Sequence, residues 1–392
     1  MADLPAGVFV VPAQDRVVFG RPAEAAVVAE ADRYRAQRVF VVSTRSLARL
    51  TAGPLQRIVG ALGARCAGSF SEVRAHTPRE DVVAIAAAAR AVRADLLVAV
   101  GGGSVIDATK AAQLCLWLGL ETPEAMEPYR GGAPGDVARP IEPPGEPIRS
   151  VAVSSTLSAS EFTATAGVTD SRTSAKQSFS HRLLVPRVAV LDPAATLDTP
   201  DWLLFATAIR AVDHAVESYC SPLANPATEP LSLQGLRLLH RALPRIKAEP
   251  GDLRARLDAQ FGMWQSIAAA AAGAGSGASH GIGYVLGAGH NVPHGHTSCV
   301  MLPAVLAWNA AVNADRQRAL SEAMGAPERP AAELVAELVA ALGQPGTLRA
   351  VGIARDDLDG IADRALGYPQ LRTNPRPITT AAQVREILEL AW

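Results

Sequence analysis

Two regions of this chain combine residue types and spacings that can do chemistry. The segment GGGSVIDATKAA (101–112) sets Gly101, Gly102 and Gly103 after the apolar run DLLVAV and before a helical pattern that starts near Ser104. Glycine lets the backbone pass close to a phosphate, and a helix start offers free N–H groups and the positive end of its dipole. A pyrophosphate fits there. The second region begins at TAIRAVDHAVESY (207–219), where Arg210 and His214 stand at i and i+4 and share one helix face. SHGIGYVLGAGHNVPHGHTSCVMLP (279–303) then supplies His280, His290, His294 and His296. Of 37 basic residues only three are lysines, Lys110, Lys176 and Lys247. Where lysine persists in so arginine-rich a chain, a compact ammonium is expected to be needed in place of a planar fork.

The elements that must position these groups read as an alternation followed by a change of texture. RVFVVS (38–43), DLLVAV (95–100), SVAVSS (150–155) and RVAVLDP (187–193) read as buried strands. A helix is expected from the end of the first strand to about Gly63, and another over 79–94, so the alternation predicts a parallel sheet covered by helices. Residues 119–148, rich in Pro, Gly and acid, read as a long surface loop. After about Pro193 helical patterns dominate, as in 231–246, 265–281 and 330–343. The expected organisation is an α/β nucleotide-binding domain over 1–193 and an all-helical domain over 194–392 that carries the histidines.

The 392 residues, 49% hydrophobic and 19% charged, exclude a disordered chain and allow two domains. A net charge of -1 without any Lys/Arg-rich block argues against nucleic acid or an anionic membrane as partner and points to a small molecule. Cys66, Cys115, Cys220 and Cys299 show no CxxC spacing, which suits a reducing cytoplasm. Neither a signal peptide nor an uninterrupted membrane span is read from the sequence.

The glycine segment is not GxGxxG, so the ordinary Rossmann fingerprint is the wrong template. Its fuller pattern GGGSxxDxxK, with Asp107 and Lys110, resembles the iron-containing alcohol dehydrogenase superfamily, whose fold is shared with glycerol dehydrogenase and dehydroquinate synthase. VSSTLSASEF (153–162) is similar to that family's second nucleotide segment. The resemblance implies that Ser155, Thr156 and Ser158 line the cofactor and that Lys176 reaches the nicotinamide ribose. It also implies a metal site in which His214, His280 and His294, the last within Pro293-His294-Gly295, match the three histidine ligands.

The departure is at the carboxylate, because the family's Asp falls on Arg210. A permanent cation about 5 to 6 Å along the helix face from His214 opposes a metal by several kcal/mol even at an effective dielectric near 20. Metal binding is therefore expected to be badly weakened or lost. Asp213, about 100° around the helix from His214, reads as a surface or Arg-paired aspartate and not as a replacement ligand. Tyr284 stands where metal-dependent members commonly carry another histidine; its hydroxyl can donate a proton, although a core tyrosine is an equally good reading.

RVVFG (16–20), AHTPRE (75–80), TLSASE (156–161), the HAVES helix and NVPHGHT (291–297) resemble the maleylacetate reductase branch, regarded as working without metal. Asp107, the 119–148 loop and the charge of Arg210 depart from that branch. The expected activity is NAD(P)H-dependent reduction of a carbonyl, with Arg210 pairing a substrate carboxylate or developing alkoxide and His280, His294 or Tyr284 supplying the proton. The alternatives are a metal-using dehydrogenase with altered ligands, a decayed cleft in which Arg210 only pairs with Asp213, and a nucleotide binder without turnover. Thr44-Arg45 after the first strand, in place of an acidic residue, leans toward NADPH or dual use. The resemblance implies a homodimer.

Overall fold

The structure is a computed structural model that describes residues 7–131, 137–143, 145–173 and 175–392. Residues 132–136 and 144 of the expected 119–148 loop lie outside the described residues. Two compact units emerge, Pro12–Thr199 and Pro200–Trp392, the latter including the segment up to Val11.

The first unit runs β1 (Arg16–Phe19), α1 (Ala23–Arg33), β2 (Val39–Val42), α2 (Arg45–Ala48), α3 (Pro54–Leu62), β3 (Cys66–Phe70), α4 (Arg79–Ala91), β4 (Leu96–Gly101), α5 (Gly103–Leu118), β5 (Ser150–Ser154), β6 (Thr165–Asp170), β7 (Ala175–Ser180) and β8 (Val188–Leu191). Six strands form a parallel sheet in the order β1-β8-β5-β4-β2-β3. Its central strands are buried at every position, and apolar apart from the serines at the ends of β5 and the last glycine of β4, because both faces are covered. Val39 and Val41 pack with Val27 and Ile58 of α1 and α3, while Phe40 and Val42 pack on the other face with Ile85 and Ile106 of α4 and α5. The single helix expected up to Gly63 is instead two. Thr44 caps the short α2 through Leu47 N, and Pro54, lacking an N–H, opens α3.

β6 and β7 form a separate antiparallel hairpin that the strand expectations omit. The boundary expected near residue 193 falls on a 3₁₀ turn, Pro193–Thr196, just before the helical unit.

The second unit contains α6 (Asp201–Cys220), α7 (Glu229–Ala248), α8 (Leu253–Ala269), α9 (Ala278–His290), α10 (His294–Ala323), α11 (Ala331–Ala341), α12 (Leu358–Ala365) and α13 (Ala381–Ala391). The helix expected over 265–281 breaks: α8 ends at Ala269, a π turn spans Ala270–Ala274, and Gly273 leaves helical geometry with φ 124°. Val10 N donates to Ala272 O at 2.9 Å, which attaches the N-terminal segment here and not to the α/β unit where the sequence reading put it. α6 packs against α7, α8 and α10 and is buried on almost every side from Leu204 to Cys220. α10 is long and apolar enough to cross a membrane by composition, yet 67% of its most apolar stretch is buried inside the fold.

Candidate active site

In the α/β unit, the glycine loop joins β4 to α5 at the carboxyl end of the sheet, where open α/β sheets bind ligands. β5 is the neighbouring strand, and Ser155 N donates to Gly101 O at 3.0 Å, so the two expected nucleotide segments lie side by side. The glycines are required by close approach. A methyl group on Gly102 would stand 2.8 Å from Thr156 Cγ2, and one on Gly103 would stand 3.0 Å from Ser158 Oγ. The helix start therefore presses against two hydroxyl residues, Thr156 and Ser158, which are 3.1 Å apart through their oxygens. The N-cap of α5 is Gly102, which has no side chain to cap the helix, and its first N–H groups are uncapped by a side chain among the described residues.

Asp107 and Lys110 do a different task. Lys110 is fully buried, and its ammonium meets Asp107 Oδ1 at 2.9 Å, Ser160 O at 3.0 Å, Thr163 Oγ1 at 3.2 Å and Thr165 O at 2.5 Å. Asp107 also accepts from Ser160 Oγ and, at 3.0 Å, from Gly167 N. Its carboxylate thus braces α5 against the start of β6. Lys176 on β7 leans over the same spot, since a methyl group on Gly167 would stand 2.8 Å from Lys176 Cε and 3.3 Å from Asp107 Oδ2. Thr44 is spent on capping α2, and Arg45 pairs with Glu72 on the surface. That acid stands beside the arginine that leaned the sequence reading toward a 2′-phosphate.

In the helical unit, α6, α9 and α10 bring together the residues singled out by spacing and by the family resemblance. The rings of His214 and His280 have centroids 4.9 Å apart, and Tyr284 stacks on His294 at 5.9 Å. Arg210 lies over the Tyr284 ring at 5.9 Å, joining the two pairs. It is 5% exposed. Its Nη1 donates to Ser298 Oγ at 3.0 Å and stands 3.9 Å from Asp213 Oδ2, and its other N–H groups have no hydrogen-bond partner among the described residues.

Asp213 is Arg-paired but is no surface residue. It is fully buried, and its Oδ2 accepts from Ser279 Oγ at 2.7 Å and Ser298 Oγ at 2.6 Å. Because α6 is covered all round, a position 100° from His214 is still inside. Burial pushes the Asp213 carboxyl above its usual range, with Glu217 adding to the rise and His280, Arg210 and the Ser298 hydroxyl opposing it.

Spacing alone did not single out Glu217. It lies one turn after His214 on the same helix, and its carboxylate accepts from Gly277 N and Ser279 N, both at 2.6 Å, and meets His280 Nδ1 at 2.7 Å. The i+3 step from His214 was the available signal. Burial pushes Glu217 up to about 7, against the pull of those N–H groups. Burial likewise drives His280 down to about 3 and His214 well below 6.5, Arg210 adding to both shifts. Both imidazoles are therefore neutral.

Residues 14–193 match the iron-containing alcohol dehydrogenase family, and residues 204–392 match the C-terminal part of the same family. The chain is 32% identical over 378 residues to the maleylacetate reductase of Burkholderia cepacia, covering 96% of this chain and 95% of that protein. The chain belongs to the iron-containing alcohol dehydrogenase family. Solved structures agree: maleylacetate reductase from Agrobacterium tumefaciens superposes with a TM-score of 0.82 at 27% identity over 99% of both chains. The iron-containing alcohol dehydrogenase of Corynebacterium glutamicum gives 0.83 at 25% identity, covering 99% of this chain and 97% of that one. The protein is thus an NAD(P)-dependent oxidoreductase with the two-part α/β and helical fold of that family.

The α/β unit fits the family's dinucleotide. An uncapped helix start, two glycines pressed on hydroxyls and the nearby Lys176 are the donor set a pyrophosphate and ribose need. The helical unit fits the family's metal poorly. His214 Nδ1 and His280 Nε2 are buried with no partner among the described residues and could ligate, but the position where the resemblance implies a carboxylate holds the cation Arg210, which adds to burial in lowering the pKa of both imidazoles. Among the described residues the one group of three donors within 4.8 Å of each other is Asp213, Glu217 and His280. Its Glu217 is already filled by N–H groups and its Asp213 Oδ2 by two serines, while Asp213 Oδ1 is buried with no hydrogen-bond partner among the described residues. His294 is not in that group.

Proposed function

We propose that the protein reduces the carbonyl of an oxo acid, maleylacetate or a related compound, with NADH or NADPH in the cytoplasm, and that Arg210 replaces a metal as the electrophilic partner of the substrate. The observation that carries this reading is a buried guanidinium with N–H groups to spare beside two neutral imidazoles. Reduced nicotinamide, when bound, supplies the hydride to the carbonyl carbon. As that bond forms, the C=O π pair moves onto oxygen, and a fixed cation in a water-poor site stabilises the growing charge. Arg210 can meet either this oxygen or a substrate carboxylate through a charge-assisted pair. Tyr284, beneath the guanidinium and stacked on His294, gives its hydroxyl proton to the alkoxide and recovers one from solvent.

The test is steady-state reduction of maleylacetate by Arg210→Ala against wild type. Loss of one charged oxyanion partner predicts a fall in kcat/KM of roughly 10² to 10³. An unchanged rate on acidic substrates would reject the role of Arg210. The orphaned nitrogens of His214 and His280 favour one other reading, a metal-using dehydrogenase with altered ligands. Stoichiometric metal in the active protein, with activity lost on chelation and restored by the ion, would establish it instead.

A further inference from the structure

Glu217 sits at the N-terminus of α9 like a bound anion. Gly277 N and Ser279 N reach it at 2.6 Å, and His280 N lies 3.4 Å from Oε2. These three groups can only donate, so both carboxyl oxygens serve as acceptors. His280 Nδ1 approaches the same Oε2 at 2.7 Å. Oε2 already accepts from Gly277 N and faces His280 N, and as a carboxylate oxygen it can only accept, so it takes the proton-bearing form of Nδ1 and leaves the other ring nitrogen with its lone pair. That nitrogen, Nε2, is buried and has no partner among the described residues.

We infer that Glu217 is a positioning residue that fixes His280 in the Nδ1–H tautomer, so that Nε2 faces the site as a hydrogen-bond acceptor and not as the proton donor. The inference rests on the reading of this cluster as the carbonyl site, and it sharpens that reading. A neutral imidazole with its only N–H tied to Glu217 cannot protonate an alkoxide, so the proton falls to Tyr284, with His294 stacked on it. His280 Nε2 instead accepts a hydrogen bond from the hydroxyl that forms at the reduced carbon and orients it.

Two-bond ¹H–¹⁵N correlation spectra of the ¹⁵N-histidine-labelled full chain test this, with His280 assigned by its loss in His280→Gln. The expected pattern is a pyrrole-type Nδ1 and a pyridine-type Nε2. Glu217→Gln replaces one acceptor oxygen with an NH₂ donor. The folded variant should show the tautomer shifted toward Nε2–H, with kcat for maleylacetate lowered roughly 10- to 100-fold and the KM for reduced cofactor unchanged. A protonated Nε2 in the wild type, or a folded Glu217→Gln protein with unaltered tautomer and kcat, would overturn the inference. If the variant does not fold, the wild-type spectrum alone decides. The expected tautomer in a protein that reduces no oxo acid would reject the proposed function and leave the role of Glu217 standing.

Discussion

Arg210 stands 3.9 Å from one carboxylate and over one tyrosine ring, and it presses two imidazoles toward their neutral forms. A buried cation of this kind persists only where an anion shares the site, and Asp213, held by Ser279 and Ser298, is that anion. The charge pair explains why Asp213 is buried at all. It also makes the metal question one of sign. Arg210→Asp removes a cation from the ligand face and supplies the carboxylate that the family resemblance places there. At an effective dielectric near 20 a unit charge about 4 Å away is worth about 4 kcal/mol before screening. The variant is expected to bind a divalent transition metal on the order of 100-fold more tightly than wild type, as read by titration calorimetry and metal analysis after dialysis. Equal affinities would mean that Arg210 does not govern metal binding.

At the scale of elements, Lys110 shows why three lysines survive among so many arginines. Its ammonium is the point where α5, the 3₁₀ turn Ser160–Phe162 and the start of β6 meet, and a planar fork cannot serve acceptors converging from three sides. Lys110→Met is expected to lower stability by about 3 kcal/mol by leaving Asp107 without its cation. Lys110→Arg should recover little of it. Urea unfolding curves for the two variants check both, and full recovery by arginine would contradict the geometry.

The four central parallel strands were legible because sheet positions buried on both faces leave continuous apolar runs such as LLVAV, whereas the short, partly exposed edge strands β1 and β3 were not. The β6–β7 hairpin was not, since AKQSFS and its partner alternate between exposed and buried positions with polar outer residues. The helical break between Ala48 and Pro54 was written in Gly53-Pro54 but was overridden by the apolar periodicity around it. Arg210 and His214 were legible by spacing, and His280, Tyr284 and His294 through the family resemblance, and the structure brings them together. The roles of Glu217, Ser279 and Ser298 were not, because contacts between α6, α9 and α10 are set by packing that no local pattern encodes.

Across the whole molecule, buried ionisable groups tie stability to pH in opposite directions. His280 falls from an ordinary 6.5 to about 3, so the unfolded chain binds more protons over that range and stability rises with pH. Glu161, fully buried with neither carboxyl oxygen in hydrogen-bonding geometry, is pushed by burial from 4.5 up to about 7, with Lys110 pulling the other way. Here the folded chain binds the extra proton. The contribution is present below about pH 4.5 and is lost as pH climbs to about 7. Glu161→Gln carries no such proton and keeps a neutral side chain of the same size. Relative to wild type, the variant should therefore gain about 3 kcal/mol in stability between pH 4.5 and pH 8, the equivalent of the upward shift from 4.5 to about 7. Urea midpoints of both proteins at the two pH values give the comparison. A difference that does not grow with pH would show that Glu161 is already ionised in the folded chain, held by the Lys110 ammonium more strongly than burial opposes it.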